Sequence, residues 1–376
     1  MAQILFNFQT LYSELAQRTL DESFVSDFDV NGRFITNEVR GRRYWYFDGP
    51  ATGGKKQRMY VGPADDAEIT KRVEEFKELK AATKERRQLV RTLVREAHLP
   101  APENFAGLVV EALAQAGFFR LRGVLVGTVA YQCYSAMLGV RLASSAMVTA
   151  DADFAQFHSI SVAVEDEMPP VLDTLKAVDK SFRAIPSQAD SRVSTQFVTR
   201  SQYKVEFLTP NRGSDDFSGR PAPMPALGGA SAQPLRFLDF LIYQPVRAVM
   251  LHGAGVPVVV PAPERYAVHK MILAQRRLDD KDGTAKSRKD LAQAAALMRA
   301  FVELKTLGNL CDAYVEAFRR GPAWRELISK SLTMFSKEDQ AEVLPHLATA
   351  LKTSDYDPAE FGLGPWMNPL TRTERS

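Results

Sequence analysis

The chain has 376 residues, of which 45% are hydrophobic and 25% are charged, and its formal net charge is +3. This is the composition of an ordinary globular protein, and it excludes a disordered or fibrous chain. The small net charge gives no whole-chain evidence for nucleic-acid binding. Cys133 and Cys311 are the only cysteines in the sequence, which excludes a disulfide framework and a thiolate zinc site.

The sequence favours a cytoplasmic location. Its first twenty residues, "MAQILFNFQTLYSELAQRTL", lack the basic head and small-residue cleavage site of a signal peptide. No apolar run approaches the roughly 18 residues that a membrane span needs. We therefore expect a cytoplasmic protein without a membrane partner, and the length suits two or three domains.

The first 100 residues are predicted to form a module of helix, hairpin and long helix. Residues 1–30 begin with apolar residues at helical spacing and then become a loop. Two runs of aromatic and β-branched residues flank the turn signal "DGPATGG" at 48–54, which predicts a hairpin. Residues 64–98 carry an apolar stripe among mixed charges and predict a long helix. The segment "LPAPENF" at 99–105 marks the boundary of this module.

The predicted hairpin is basic and aromatic. Tyrosines and a tryptophan alternate with its arginines and lysines, a combination that can bind phosphates and stack bases. We take four cations as candidate contacts to an RNA or tRNA acceptor: Arg42, Arg43, Lys55 and Lys56. The alternative is a solvated hairpin whose aromatic residues pack on a neighbouring part of the chain.

From residue 106 the pattern alternates between strands and helices. The stretch "VLVGTVAY" predicts a strand, a Gly-Thr turn and a helix, and "SAMVTADADFAQF" predicts a strand. "RVSTQFVTRSQYKVEFLTP" predicts an antiparallel pair. Residues 211–234, rich in Gly, Pro, Ser and Ala, are predicted to be a long loop. "GVPVVVPAPERYAVHKMILAQRR" predicts a strand that leads into a helix, and the chain from about residue 290 is helical.

Three acidic residues can converge on these strands. Asp151 and Asp153 are two positions apart, so they point to the same face of a strand. Two carboxylates on one face repel each other, which indicates a cation between them or a solvated strand edge. Glu206 alternates with apolar residues on a later strand, and the three acids meet if the two strands are neighbours.

A phosphate-binding turn precedes them in the sequence. Gly127 and Thr128 stand where a strand turns into a helix, and glycine allows the backbone to approach a ligand closely. The free N–H groups and the positive end of the helix dipole suit a phosphate. Together with a carboxylate cluster, this turn provides what Mg²⁺-dependent phosphoryl or nucleotidyl transfer requires.

These motifs resemble the nucleotidyltransferase fold of the DNA polymerase beta superfamily. Its glycine turn, Asp-x-Asp strand and later third acid correspond here to Gly127-Thr128, Asp151-Ala152-Asp153 and Glu206. The stretch "PERYAVHKMILAQRR…KSRKDLAQA" is similar to the helical segment of AbiEii/MenT-type nucleotidyltransferases, several of which are bacterial toxins. The phrases "LVGTVAYQCYSAMLG", "DADFAQFHSI", "VEFLTPNRG" and "LRFLDFLI" also resemble an uncharacterised bacterial family assigned to this fold. The resemblance covers residues 105–300.

The resemblance implies an α+β nucleotidyltransferase fold, a small mixed sheet with flanking helices. We expect residues 1–100 to form the N-terminal module and 101–235 the catalytic domain. Residues 236–376 would be a mainly helical region that completes the nucleotide site.

The resemblance also implies roles for individual residues. Its catalytic and metal-binding residues are Asp151, Asp153 and Glu206, which would hold Mg²⁺ or Mn²⁺. Its nucleotide-binding residues are Gly127, Thr128, Arg141, Lys270 and Asp290, with Lys270 on the phosphates of a nucleoside triphosphate such as ATP and Asp290 in support.

This sequence departs from the family pattern at three places. The interval between Gly127 and Asp151 is longer than usual, the third acid is Glu rather than Asp, and Thr128 replaces the commoner Ser. The first departure implies a longer helix and loop between the two motifs. The second puts in doubt the geometry that activates the acceptor hydroxyl, although a glutamate still binds metal or takes a proton.

Several functions remain open on the sequence alone. The acceptor hydroxyl can belong to RNA, to a protein or to a small molecule, and the basic hairpin favours RNA. The enzyme can also be a toxin that an antitoxin-like protein partner neutralises. The alternative from another class is a non-catalytic protein on the same fold that binds nucleic acid or a partner.

Overall fold

A computed structural model gives the structure of the chain. It describes residues 3–21, 32–39, 42–49, 58–142, 147, 149–163, 167–211, 220–279 and 283–367. The architecture is a mixed central sheet with helices packed around it, a separate three-stranded sheet near the N-terminus and a two-stranded hairpin. The predicted α+β class is confirmed.

The central sheet contains seven strands. They are β4 (Val124–Val126), β5 (Asp151–Ala155), β6 (Arg183–Pro186), β7 (Ser194–Val198), β8 (Lys204–Pro210), β9 (Ala222–Pro223) and β10 (Ser231–Leu235). Strand β8 lies in the middle: β5 runs parallel to it along one edge, while β7 and β10 share the other edge, antiparallel and parallel respectively. This central place fits its sequence, because Val205, Phe207 and Leu208 are all buried.

Helices surround the sheet. They are α3 (Asn104–Gln115), α4 (Gly127–Leu138), α5 (His158–Ala163), α6 (Val171–Val178), α7 (Leu238–Leu241), α8 (Pro263–Arg276), α9 (Gly283–Glu303), α10 (Leu307–Arg319), α11 (Pro322–Met334) and α12 (Lys337–Thr353). One cluster of buried apolar side chains runs from Ala106 to Trp366 and joins the sheet to the C-terminal helices. Hydrophobic burial of this continuous core is the main stabilising contribution. The predicted helical C-terminal region is confirmed.

The hairpin β11 (Val246–Met250) and β12 (Val256–Val260) joins the central body to the first helix. Helix α1 (Phe6–Asp21) packs on α2 (Ala67–Arg95), and its Tyr12 hydroxyl exchanges hydrogen bonds with the backbone of Val249. A second buried cluster collects side chains from these elements, among them Leu15, Leu93 and Leu251. The three predicted domain ranges stay a prediction, and apolar packing crosses both of their boundaries.

The N-terminal sheet contains the expected hairpin and one strand more. Its strands are β1 (Arg33–Val39), β2 (Arg42–Asp48) and β3 (Arg58–Pro63), all antiparallel. Strands β2 and β3 flank the turn predicted over 48–54, and residues 50–57 between the two strands lie outside the described residues. The long helix predicted over 64–98 is confirmed as α2.

The prediction of one long loop over 211–234 is wrong for its second half. Residues 220–234 contain β9, a short 3₁₀ turn at Pro225–Leu227 and most of β10, and Met224 and Leu227 are buried. The pairing of β10 with β8 outweighs the turn-rich composition, since Ala, Met and Leu in this segment bury apolar surface. The small residues here serve instead the turn at Gly228 and Gly229, where both φ angles are positive. Residues 212–219 lie outside the described residues.

Candidate active site

The three predicted acids lie together on the central sheet. Strands β5 and β8 are parallel neighbours, and their register places Asp153 directly opposite Glu206. Asp151 is two residues before Asp153 on the same face. Asp151 is exposed, while Asp153 and Glu206 are half-buried. The condition set by the sequence, that the two strands be neighbours, is therefore met.

Gly127 provides the space that Asp153 occupies. Its φ angle is +69°, and a Cβ atom built on it would lie 2.5 Å from Asp153 Oδ2. Any other residue would be strained in this left-handed conformation and would also collide with the carboxylate. Helix α4 starts at this glycine, and among the described residues no side chain caps its first N–H groups. Together Gly127 and half-exposed Thr128 present a helix N-terminus beside the acids.

Asp153 is the most perturbed acid of the site. Its pKa is raised to about 7, first by burial and then by the charges of Asp151 and Glu206, while Lys270 and Arg277 oppose the shift. In the described part of the chain no donor hydrogen-bonds to its carboxylate, although Asp153 retains some exposed surface. Burial and the neighbouring carboxylates disfavour the ionised form of Asp153, and a bound cation would stabilise that form.

Glu206 is held by a neighbour that sequence reasoning missed. Gln196, opposite it on β7, donates a hydrogen bond from Nε2 to Glu206 Oε1 at 2.8 Å. Burial raises the pKa of Glu206, the Gln196 bond lowers it and Asp151 raises it. Antiparallel pairing of the "STQFV" and "KVEFLTP" strands was predicted, so the cross-strand register was the signal that would have identified Gln196.

Cations from the C-terminal helices face the acids. Lys270 and Arg277 act on Asp153, Lys286 acts on Glu206, and Lys289 lies close enough to Asp151 for their charges to interact. Burial lowers the pKa of Lys289, and the charge of Lys270 lowers it further. Three of these cations were not assigned to the site from sequence. The signal was present in "KSRKD", because positions 286 and 289 lie three apart on one helix face.

Lys270 and Asp290 form a buried ion pair within the site. Lys270 Nζ lies 2.6 Å from Asp290 Oδ1, and Arg277 lies 2.6 Å from Asp290 Oδ2. The Asp290 side chain is fully buried and that of Lys270 is 6% exposed. Asp290 thus holds two cations next to the acids, and its own part in nucleotide binding stays a prediction. The contact of Lys270 with a nucleotide stays a prediction.

The buried side chains of Tyr266 and Gln293 fix the glycine turn relative to helix α8. The Tyr266 hydroxyl donates to the carbonyl oxygen of Gly127 at 2.9 Å and lies 3.0 Å from Gln293 Oε1. His269 is buried among the site cations, and burial and those cations lower its pKa to about 3. A neutral imidazole at this place adds no charge to the cluster.

Arg141 lies away from the cation cluster. It is exposed and lines a cavity of about 500 Å³ between α3, α4 and the segment that leads to β5. This cavity meets the acids at Thr149, whose hydroxyl hydrogen-bonds to Asp151. The segment 139–150 accounts for the long interval between Gly127 and Asp151, because α4 itself ends at Leu138. Arg141, Leu142, Met147 and Thr149 of this segment line the cavity, and its greater length relative to the family stays a prediction.

The chemistry of the acids suits a hard divalent cation. Carboxylate oxygens are the ligands that Mg²⁺ and Mn²⁺ take, and burial together with the neighbouring carboxylates raises the pKa of Asp153. Within the described residues, no three His, Cys, Asp or Glu side chains are gathered closely enough to hold an ion by themselves. A shell completed by water and substrate phosphate oxygens is the usual arrangement for Mg²⁺.

The N-terminal sheet gives limited material for nucleic-acid contact. Arg43 is exposed, but Arg58 and Arg33 both pair with the buried carboxylate of Asp48. Phe47 packs against α2, and Trp45 Nε1 donates to Thr70 on the same helix. This packing supports the alternative of aromatics that contact a neighbouring element. The side chain of Arg42 and residues Lys55 and Lys56 lie outside the described residues.

Comparison with known proteins gives one match. A family model described as "Nucleotidyltransferase" matches residues 104–319, more than half of the chain. This range begins at α3 and ends with α10, so it contains the acids, the glycine turn, the cations and part of the cavity wall. No curated protein and no solved structure matches the chain. In the part of the chain that the structure describes, no helix is long and apolar enough to cross a membrane.

Proposed function

The chain belongs to this nucleotidyltransferase family, and from that premise we propose that it transfers a nucleoside monophosphate from a nucleoside triphosphate to an acceptor hydroxyl. The α+β nucleotidyltransferase fold is confirmed by the family match together with the mixed sheet and its flanking helices. The narrower resemblance to AbiEii/MenT-type enzymes stays a prediction.

One observation carries the proposal: Asp153 and Glu206 are paired across parallel strands next to a glycine turn and a cluster of cations. A solvated strand edge would leave the acids with ordinary pKa values and without opposing cations. Here burial and like charge raise the pKa of Asp153 to about 7. Perturbed acids opposite a phosphate-binding element are typical of a catalytic site.

Different residues of the chain would bind different parts of the substrate. Gly127, Thr128 and the uncapped N–H groups of α4 would bind phosphate oxygens. Lys286 and Lys289 would contact the β- and γ-phosphates, together with Lys270, whose charge Asp290 holds in place. Asp151, Asp153 and Glu206 would hold Mg²⁺ or Mn²⁺, which when bound neutralises phosphate charge and lowers the pKa of the attacking hydroxyl.

The transfer step follows from this placement. The acceptor oxygen forms a bond to the α-phosphorus while the bond from the α-phosphorus to the bridging oxygen breaks, and pyrophosphate leaves. The hydroxyl proton passes to Glu206 Oε2, because Gln196 already occupies Oε1. The raised pKa of Glu206 makes it a better proton acceptor than an ordinary glutamate.

The proposed acceptor is RNA, such as a tRNA end, held by the N-terminal sheet. Exposed Arg43 is the described side chain that supports this assignment. Neutralising Arg42, Arg43, Lys55 and Lys56 together is expected to weaken RNA binding and to flatten its dependence on salt. RNA binding that does not change in this variant would argue against the sheet as the acceptor site.

A toxin role is a further proposal, with an antitoxin-like protein as partner. It rests on the resemblance of the helical segment, and it is compatible with the transfer reaction. Expression of the wild type would then stop growth, while Asp153→Ala would restore it. Equal growth with both proteins would count against the toxin role alone.

The deciding experiment measures transfer directly. The purified protein is incubated with each α-labelled nucleoside triphosphate, Mg²⁺, and total cellular RNA and protein. We expect labelled product with the wild type and with Asp173→Asn, which changes an exposed acid of α6, and none with Asp151→Asn/Asp153→Asn. Absence of transfer, with equal RNA binding by the wild type and the double variant, would favour the non-catalytic binding protein.

A further inference from the structure

The cavity beside the acids has the size of a ligand site. Its volume of about 500 Å³ falls within the roughly 300–1,000 Å³ of small-molecule pockets. Its wall comes from the chain around residues 98–106, from helix α4 and from Arg141, Leu142, Met147 and Thr149. None of its lining residues belongs to α8 or α9, which carry the cations. The cavity is therefore distinct from the phosphate-binding part of the site.

The cavity and the cations both lie close to the carboxylate of Asp151. Thr149 lines the cavity and hydrogen-bonds to Asp151, while Lys289 acts on Asp151 from helix α9. The Tyr203 hydroxyl lies within the influence of Asp151, Asp153 and Glu103, and Glu103 is itself a lining residue. A group bound in the cavity thus approaches the acids from one direction, and a triphosphate bound to the cations approaches them from another.

Two buried polar atoms, one in the cavity wall and one outside it, have no partner among the described residues. Gln132 is 8% exposed, its Nε2 donates to the carbonyl of Met147, and its Oε1 accepts no hydrogen bond. The hydroxyl of Tyr203, also 8% exposed, has no partner either. A buried acceptor left unsatisfied costs stability, so a ligand that donates to Gln132 would gain affinity.

The charge of the wall restricts the class of ligand. Arg141 and Glu103 offset each other, while Val129, Ala106 and Met147 add apolar surface. A polyanionic strand needs a run of cations, which this wall lacks among the described residues. An uncharged ring with polar edges matches it better.

We propose that this cavity binds one uncharged nucleoside-sized group of the acceptor, with an amino donor directed to Gln132 Oε1. The inference rests on the proposed transfer reaction, because it assigns the second substrate of the same site. A reaction in which pyrophosphate leaves toward the cations needs the attacking hydroxyl to arrive from elsewhere, and the cavity provides that approach. The same chemistry can come from the nucleoside of the triphosphate, so the test separates the two sources.

The test measures binding without chemistry. Labelled adenosine, cytidine, guanosine and uridine are dialysed against the wild type, Ala101→Trp and Ala81→Trp. Ala101 lines the cavity, so tryptophan there fills it, whereas Ala81 is exposed on α2 and provides a matched control. Circular dichroism establishes that each variant is folded.

We expect at least one nucleoside to bind, with a loss of about tenfold or more in Ala101→Trp and none in Ala81→Trp. Adenosine should bind about fivefold more tightly than purine riboside, which lacks the amino group, in the wild type. The second comparison needs no variant and so stays valid if Ala101→Trp does not fold. Absence of nucleoside binding, or equal binding by wild type and Ala101→Trp, would overturn the inference.

A competition arm identifies the source of the bound group. If saturating α,β-methylene ATP with Mg²⁺ leaves nucleoside binding intact, the cavity serves the acceptor. If the analogue displaces the nucleoside, the cavity holds the nucleoside of the triphosphate and our assignment is wrong. Failure of the transfer reaction itself would appear in the labelling experiment, and these binding measurements do not depend on it.

Discussion

Among Asp290 and its charged partners, Asp290 is the residue whose neutralisation should destabilise the protein most. Asp290 is fully buried, and its two oxygens each lie 2.6 Å from a cation, Lys270 Nζ and Arg277 NH1. Asp290→Asn leaves the ammonium of Lys270, itself 6% exposed, without a counter-charge. Removing one partner of a buried ion pair costs about 3–5 kcal/mol. The Arg277 side chain is 32% exposed and can turn toward water.

The double variant Lys270→Met/Asp290→Leu removes both buried charges and should recover much of this loss. Replacing a whole buried pair by apolar residues is often neutral, so we expect the double variant to be about 2 kcal/mol more stable than Asp290→Asn. The stability of Lys270→Met alone should lie between that of Asp290→Asn and that of the double variant, because Asp290 keeps its ion pair with Arg277.

The assay is urea unfolding followed by circular dichroism, with midpoint and slope compared for each variant. Asp312→Asn, an exposed acid on α10, is the matched control and should unfold like the wild type. If Asp290→Asn lost less than about 1 kcal/mol, or if the double variant were less stable than Asp290→Asn, the ion pair would not be the buried brace described here.

Three further predictions concern the acids. Gly127→Ala places a Cβ atom 2.5 Å from Asp153 Oδ2 at a φ of +69°, so transfer should fall about 100-fold, whereas Gly308→Ala, with open space around it, should leave transfer unchanged. Because the pKa of Asp153 is raised to about 7 from 3.8, the folded protein keeps a proton that the unfolded chain releases, and without divalent ions its stability should fall as the pH rises between those values. Thermal unfolding curves check this, and Asp153→Asn should remove the fall and abolish any stabilisation by added Mg²⁺ or Mn²⁺. Gln196→Leu removes the hydrogen bond that lowers the pKa of Glu206, so the acidic limb of the pH–rate profile should move to higher pH, and an unmoved limb would contradict the role of Glu206 as proton acceptor.

Local rules of the chain were enough to identify the acids and the glycine turn. Side chains alternate along a strand, so Asp151 and Asp153 share a face wherever that strand lies. A glycine between a strand and a helix indicates a left-handed turn, and Gly127 has that conformation. Helical periodicity likewise predicted α2 and α8. Each of these features depends on residues close in sequence.

Only the tertiary structure decided which distant residues complete the site. Strand pairing places Asp153 opposite Glu206, and no local pattern sets the register between strands some fifty residues apart. The same holds for β10, which pairs with β8 although its segment has the composition of a loop. The packing of α8 and α9 brings Lys270 to Asp290 and the lysines of α9 to the acids. Burial then raises the pKa of Asp153, because desolvation depends on everything packed around a group and not on its neighbours in the sequence.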